Sequence, residues 1–240
     1  MRGALNFVII VVSTAVLGGL AMLTALTPGL TERFFIWARI WAWVITAWCG
    51  VKVRGSLPAS EAGVDWTRPY VYMSNHQSHF DIPCIYRVVP ANIRFLTKKE
   101  LRMIPIFGWA LWAAGYVFID RKKREDAFAS IARAAEDFKR KRHAIVVFPE
   151  GTRSPDGMLQ SFKKGGFHLA IEAGAKIIPI GVTGTTKVLP KHALFVRPGD
   201  VMVRVGAPID ASKFRRNDKD DLAKLQGEVR AAIETLTRDG

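Results

Sequence analysis

The sequence predicts an α/β fold. A single, largely parallel (mixed) sheet is covered by helices and preceded by an N-terminal, membrane-associated two-helix segment. Three observations carry this reading. From residue 69 onward, short apolar runs alternate with segments of helical period, the pattern of parallel strands joined by crossover helices. The most polar, turn-like clusters directly follow those runs, where open α/β sheets collect ligands. Ahead of them, residues 3–51 carry only Glu32, Arg33 and Arg39 as charges. The predicted organisation is residues 1–54 as membrane-anchoring helices, 55–68 as a linker and 69–240 as one catalytic-type domain.

No charge falls between Gly3 and Thr31. A helix from Leu5 to Leu26 would be roughly 33 Å long, close to the thickness of a bilayer's hydrocarbon core. Thr27-Pro28-Gly29 breaks it. A second apolar stretch, Phe34 to Val51, holds Arg39 and four of the seven tryptophans: Trp37, Trp41, Trp43 and Trp48. Tryptophan favours the headgroup level and arginine can snorkel there. This stretch reads as interfacial, or as a tilted partner of the first helix. A cleaved signal peptide is the bland alternative. The apolar stretch exceeds the usual h-region of about 7–15 residues and ends in no A-x-A site, so a retained anchor is expected. Two spans, one span, or two helices dipping into one leaflet all fit. Lys52, Arg54 and the basic remainder are expected on the cytoplasmic side.

Strands are predicted at Tyr70–Met73, Ile93–Leu96, Tyr116–Ile119, Ala144–Phe148, Ile177–Val182 and Val201–Val205. The continuous apolar run at 144–148 suits a strand buried on both faces. Glu125–Arg142 is predicted helical, with Phe128, Ile131, Ala135 and Phe138 on one face. Phe167–Ala173 is a short helix closed by Gly174. Leu222, Leu225, Val229, Ile233 and Leu236 mark an amphipathic C-terminal helix.

Of the 240 residues, 49% are hydrophobic, which excludes a disordered chain. The two cysteines, Cys49 and Cys84, exclude a disulfide scaffold. Lys and Arg number 35 against 21 Asp and Glu, a net charge of +14. Mean hydropathy is +0.11 and the pI about 10.1. Such a chain is suited to anionic partners. The basic residues are scattered over many elements with no aromatic-studded platform, so nucleic acid is not an expected partner.

Two clusters carry the chemistry. The first is Asn75-His76-Gln77-Ser78-His79-Phe80-Asp81. His76 and Asp81 would lie about 140° apart on a helix and on opposite faces of a strand, so they meet only if the chain turns between them. Asp81-Ile82-Pro83 resembles a helix start with Asp81 as cap. A loop there could fold Asp81 back onto His76, holding one imidazole tautomer and leaving the ring to act as a general base. The plainer reading makes Asp81 a cap and His76 a loop residue. His79 invites a metal reading with His76 and Asp81, but no further ligand completes a site. Cys84 is a candidate nucleophile, better read as core. The second cluster is Phe148-Pro149-Glu150-Gly151-Thr152-Arg153-Ser154. Glycine admits a ligand to the backbone and arginine offers a planar fork for phosphate. Lys163 follows closely. Lys98 and Arg121 follow two other predicted strands. Together these cations suit a phosphate-bearing substrate; each alone reads as a solvated surface charge.

In order, N-H-Q-S-H-F-D (75–81), G-Y-V-F-I-D-R (115–121), F-P-E-G-T-R-S (148–154) and I-I-P-I-G-V (177–182) make the chain resemble the bacterial 1-acylglycerol-3-phosphate acyltransferases, the lysophosphatidic acid acyltransferase family. K-K-E-L (98–101) adds to the resemblance, which covers roughly residues 69–205. It implies that His76 takes the proton of the sn-2 hydroxyl of lysophosphatidic acid, with Asp81 orienting it. The oxygen attacks an acyl thioester, from acyl-CoA or acyl carrier protein, and phosphatidic acid forms. It implies that Arg153 binds the substrate phosphate, that Gly151 and Thr152 shape the loop, and that Glu150 braces the loop or holds Arg153. Lys98, Arg121 and Lys163 are further candidate phosphate contacts. No metal or organic cofactor is implied, since the thioester is already activated. The implied setting is the bacterial inner membrane, with the lipid bilayer as partner and the catalytic domain facing the cytoplasm. Other readings are an acyltransferase for glycerol 3-phosphate or another lysolipid, a non-catalytic lipid-phosphate binding protein, and a metal-dependent hydrolase using His76, His79 and Asp81.

Overall fold

Two apolar helices open the chain: α1 (Arg2–Leu26) and α2 (Phe34–Trp48). The computed structural model describes residues 2–27, 30, 33–58, 63–119, 124–141 and 143–238. The predicted Pro28-Gly29 break, part of the linker, Arg121 and Arg142 therefore lie outside the described residues. Past α2 come β1 (Val51–Ser56), β2 (Val71–Ser74), α3 (Asp81–Val88) and β3 (Ile93–Lys98). A 3-10 helix (Lys99–Met103), α4 (Phe107–Ala113), β4 (Val117–Ile119) and α5 (Arg124–Lys141) follow. Then come β5 (Ala144–Val147), α6 (Gly165–Ala173), β6 (Lys176–Thr183) and the one-turn α7 (Thr185–Val188). The chain ends with β7 (Gly199–Val205), β8 (Ile209–Asp210), a 3-10 turn (Ala211–Lys213) and α8 (Lys219–Arg238).

The strands form one sheet in the order β1-β7-β6-β2-β5-β3-β4, with β8 also on β6. Pairings among β6, β2, β5, β3 and β4 are parallel, and β1 runs parallel to β7. Only the β6–β7 and β6–β8 pairings are antiparallel among the described residues. The predicted mixed, largely parallel sheet is thus present.

Alternate strand residues enter opposite cores, as the period of two requires. Tyr72, Phe95, Val146 and Ile178 face a layer built from α1, α2, α3 and α4. Met73, Ile145, Val147 and Ile177 face α5, α6 and α8. The apolar C-terminal stripe read from sequence is the buried face of α8: Leu222, Leu225, Val229 and Ile233. Pro179 sits inside β6, where a missing N–H should break the ladder. It lies where the edge partner changes, from β8 at Lys176 and Ile177 to β7 from Ile180 onward. Its carbonyl still accepts from the Gly206 amide at 2.8 Å.

Two local readings are corrected, and one alternative is decided. Val51–Ser56 reads as the tail of the apolar stretch and the start of the linker, yet it is an edge strand registered from Val51–Gly199 to Ser56–Arg204. Of the two readings of the second apolar stretch, the structure shows the partner of the first helix: the indole N–H groups of Trp37 and Trp41 donate to Thr24 and Thr14 of α1, both at 2.9 Å. Arg39 does not snorkel outward but donates to the Val89 carbonyl at 3.0 Å. Trp43 and Trp48 remain exposed.

Helix α1 is long and apolar enough to cross a membrane. Its large side chains, among them Val8, Val12, Val16 and Leu23, are exposed, while its fully buried residues are the small Ala21 and Ala25. The helix lies along the domain rather than projecting from it. Gly3 packs against the Phe195 ring at one end, and Met22 and Leu26 flank Trp109 and Trp112 of α4 at the other.

Candidate active site

The parallel strands β2, β5 and β6 end on one edge of the sheet, and the first, third and fourth motifs meet there. Asn75 extends the β2–β6 ladder with its side chain. Its Nδ2 donates to the Val182 carbonyl and its Oδ1 accepts from the Val182 amide, each at 2.8 Å. The chain then turns, and α3 starts at Asp81 with Phe80 in the cap position. Asp81 is therefore not the helix cap. Its carboxylate points back, as the alternative reading required. Oδ2 accepts from His76 Nδ1 (2.8 Å) and from the Gln77 and Ser78 amides (2.7 and 2.9 Å). Oδ1 accepts from the Thr185 hydroxyl at 2.5 Å.

Asp81 is fully buried. A buried carboxylate is tolerated when donors surround it, and here four do. With Nδ1 donating to Asp81, the His76 tautomer is set and Nε2 is left as the basic nitrogen. Nε2 has no hydrogen-bond partner among the described residues, and 14% of the side chain is exposed. The imidazole lies flat on Phe148, with centroids 3.9 Å apart, and Phe148 stacks in turn on Phe95.

The third motif clamps the backbone of the first. Glu150 is buried, with Oε1 accepting from the His76 amide (2.7 Å) and Oε2 from the Gln160 amide (3.0 Å). Burial raises its pKa. The Ser154 amide donates to the His76 carbonyl at 2.7 Å, and Gln77 Nε2 to the Gly157 carbonyl at 3.0 Å. The loop turns at Gly151 with φ +72°, and a Cβ there would run into the Lys163 side chain. The positive φ is what calls for glycine, since the lysine side chain can move aside.

The predicted cations differ in placement. Arg153 is half-buried and makes no side-chain hydrogen bond among the described residues. Burial lowers the pKa of His79, and the Arg153 charge adds to that effect. Lys163 runs beside Gly151, and Thr152 is exposed on the same loop. Lys98 ends β3 and is exposed. Cys84 is fully buried, and burial together with the Asp81 charge raises its pKa well above the usual thiol range. It is core, not a nucleophile. Among the described residues no group of three or more His, Cys, Asp or Glu is placed to hold a metal ion. Thr185 was not foreseen. It lies far from Asp81 in sequence, and its only signal is its position just after the fourth motif.

An apolar cavity lies between the N-terminal helices and the domain, and it reaches Ile82, the residue after Asp81. Leu17, Trp37, Ile82, Phe95, Leu111 and Tyr116 are among its lining residues. The His76–Phe148–Phe95 stack leads from the histidine to its wall.

The acyltransferase family model matches residues 50–183. A Salmonella typhimurium protein named 1-acyl-sn-glycerol-3-phosphate acyltransferase is 37% identical over 185 residues, 77% of this chain and 72% of its own length. The yeast protein of that name is 37% identical over 177 residues, 72% of this chain. That match spans 57% of the yeast protein's length. The crystal structure of the 1-acyl-sn-glycerophosphate (LPA) acyltransferase PlsC from Thermotoga maritima superposes with a TM-score of 0.77 at 28% identity, covering 98% of both chains. A histidine oriented by a buried carboxylate, bonded through its carbonyl to the loop that carries Arg153, sits on a fold and sequence shared with these enzymes, and the chain belongs to the acyltransferase family.

Proposed function

We propose that the protein transfers a fatty acyl group from an acyl thioester, acyl-CoA or acyl carrier protein, to the sn-2 hydroxyl of lysophosphatidic acid. His76 Nε2 takes the hydroxyl proton as the oxygen attacks the thioester carbonyl carbon. The C–S bond breaks, the leaving sulfur takes the proton from His76 and departs as the thiol, His76 returns to its neutral form, and phosphatidic acid is the product. The carrying observation is the His76–Asp81 pair, whose tautomer is set by a carboxylate bound to four donors. General-base assistance of this kind is worth about 10²–10⁴-fold in rate. Family membership supports the reaction class.

Arg153 is assigned the acceptor phosphate, because its side chain makes no hydrogen bond among the described residues and its neighbour Ser154 is bonded to the His76 carbonyl. Lys163, beside Gly151, adds positive charge to that loop, and Lys98 and Arg121 are further candidate phosphate contacts. Gly151 and Thr152 present the loop backbone. Glu150 positions His76 through its amide rather than holding Arg153. The acyl chain lies in the apolar cavity behind Phe95 and Ile82. The exposed apolar face of α1 is buried in a lipid bilayer, and its course along the domain favours insertion within one leaflet. The basic domain, with Lys52 and Arg54 at the flank, faces the cytoplasm.

The test is acyl transfer by purified protein in liposomes, wild type beside His76→Ala, with acyl-CoA and acyl carrier protein as separate donors. Phosphatidic acid from the wild type alone establishes reaction and base together. No product with either donor refutes lysophosphatidic acid as acceptor, and glycerol 3-phosphate and other lysolipids are then compared. Equal product from both proteins removes His76 from the mechanism.

A further inference from the structure

A second apolar surface lies outside the N-terminal helices. Between β3 and β4 the chain forms the 3-10 helix and α4. This segment has two faces. Leu101, Phe107, Ala110 and Leu111 point inward and line the apolar cavity. Met103, Ile104, Ile106, Trp109 and Trp112 point outward and are exposed, Met103 to 81%.

The outward display is built in. Ile106 has φ +63° and ψ −60°, an unfavourable conformation for a β-branched residue. Gly108 packs so closely under the 3-10 helix that a Cβ would lie 2.2 Å from the Leu101 carbonyl oxygen. A turn this tight keeps Ile104 and Ile106 from folding inward.

Three features identify what covers the patch. First, it is continuous with the apolar face of α1, because Met22 and Leu26 share one groove with Trp109 and Trp112. Second, the Arg102 guanidinium sits 5.2 Å from the centre of the Trp112 ring. Arg over Trp at the rim of an apolar face suits the headgroup level of a membrane. Third, Lys98, Lys99 and Arg102 surround the patch against the single acid Glu100, which complements anionic lipid.

We propose that residues 102–112 form a second membrane-insertion element, seated in the headgroup and upper acyl region of an anionic bilayer. The catalytic domain rests on the lipid through this segment as well as through α1. The segment that walls the acyl cavity on its inner side is then lipid-facing on its outer side. The inference rests on the membrane reading of α1.

The test uses the full chain in phosphatidylethanolamine–phosphatidylglycerol vesicles carrying a spin-labelled, quenching lipid. Cys49 and Cys84 are buried, so an environment-sensitive fluorophore is directed to one introduced thiol at a time: Ile104→Cys, Val12→Cys on α1, or Lys224→Cys on α8. Insertion predicts about twofold quenching at positions 104 and 12 and none at 224. Quenching at 12 with position 104 behaving like 224 overturns the inference and leaves the α1 reading standing. No quenching at either refutes both. A position 104 signal that responds to protein concentration and not to the quencher assigns the patch to a second copy of the chain, and overturns the inference. Met103→Cys replaces Ile104→Cys if that variant misfolds.

Discussion

Residues 74–81 and the cations around the third motif share one edge of the sheet but differ in how they are held. In the first region nearly every polar atom is paired: Asn75 with Val182, Asp81 with four donors, and the His76 amide and carbonyl with Glu150 and Ser154. In the second, Arg153 has no hydrogen-bond partner among the described residues, and Lys163 and Lys98 are exposed. The difference follows from what each must do. A base must sit in one geometry before substrate arrives, so its lone pairs and protons are committed in advance. A phosphate clamp must keep its donors free for the ligand.

The comparison yields graded predictions. The largest effect is expected at the dyad. His76→Ala and Asp81→Asn should each lower kcat by about 10²–10⁴-fold, measured with saturating donor and acceptor. Asp81→Asn should also lower the melting temperature, because the side-chain amide turns donors toward the donors around it. A kcat within threefold of wild type would show that the paired region is merely structural. Arg153→Ala should instead raise KM for the phosphate acceptor. Loss of one charge-assisted contact, at about 1.5–3 kcal/mol, corresponds to roughly 10–150-fold. Unchanged KM with depressed kcat would move Arg153 from the clamp to the chemistry.

Glu150→Gln tests the joint between the two regions. Both carboxylate oxygens accept from backbone amides, and a glutamine must set its NH₂ against one of them. A fall of about tenfold in kcat is expected, with acceptor KM unchanged. Thr185→Val removes one buried hydrogen bond to Asp81 at nearly constant volume. At about 0.5–1.5 kcal/mol, a two- to tenfold loss in kcat is expected, and restoration by Thr185→Ser would tie it to the hydroxyl. The smallest effect concerns Cys84. Its pKa is raised, so the thiolate is absent until the pH exceeds the ordinary thiol range, and burial blocks access. Incubation with N-ethylmaleimide at pH 8 should leave activity unchanged, and mass spectrometry should find Cys84 unmodified. Rapid inactivation would restore the nucleophile reading.

The sequence exposes the parts of this site that act locally. The strands of the parallel sheet read as apolar runs because both their faces are covered, and the motif residues follow their ends. Contacts that close over long sequence distances are not legible. Nothing near Asp81 announces Thr185, and Asp81-Ile82-Pro83 resembles a capped helix start because aspartate is common there for a different reason. β1 was hidden for another cause. As an edge strand, Val-Lys-Val-Arg alternates with one face to solvent, and it directly follows an apolar helix whose hydropathy masks it. The tryptophans of α2 leave two readings open, interface or partner of the first helix, and only the hydroxyls of Thr14 and Thr24 on α1, far off in sequence, decide it for Trp37 and Trp41.

The edge strand β1 has a consequence for how the protein is made. Its parallel partner is β7, with Val51 beside Gly199. A ribosome adding about 5–20 residues per second takes on the order of ten seconds to travel between them. Throughout that interval β1 has been synthesised and β7 has not, so a row of backbone donors and acceptors waits unpaired behind two apolar helices. Closure of the sheet is a late event in synthesis. A chain arrested before β7 would carry an open strand edge, the form in which sheets recruit other chains.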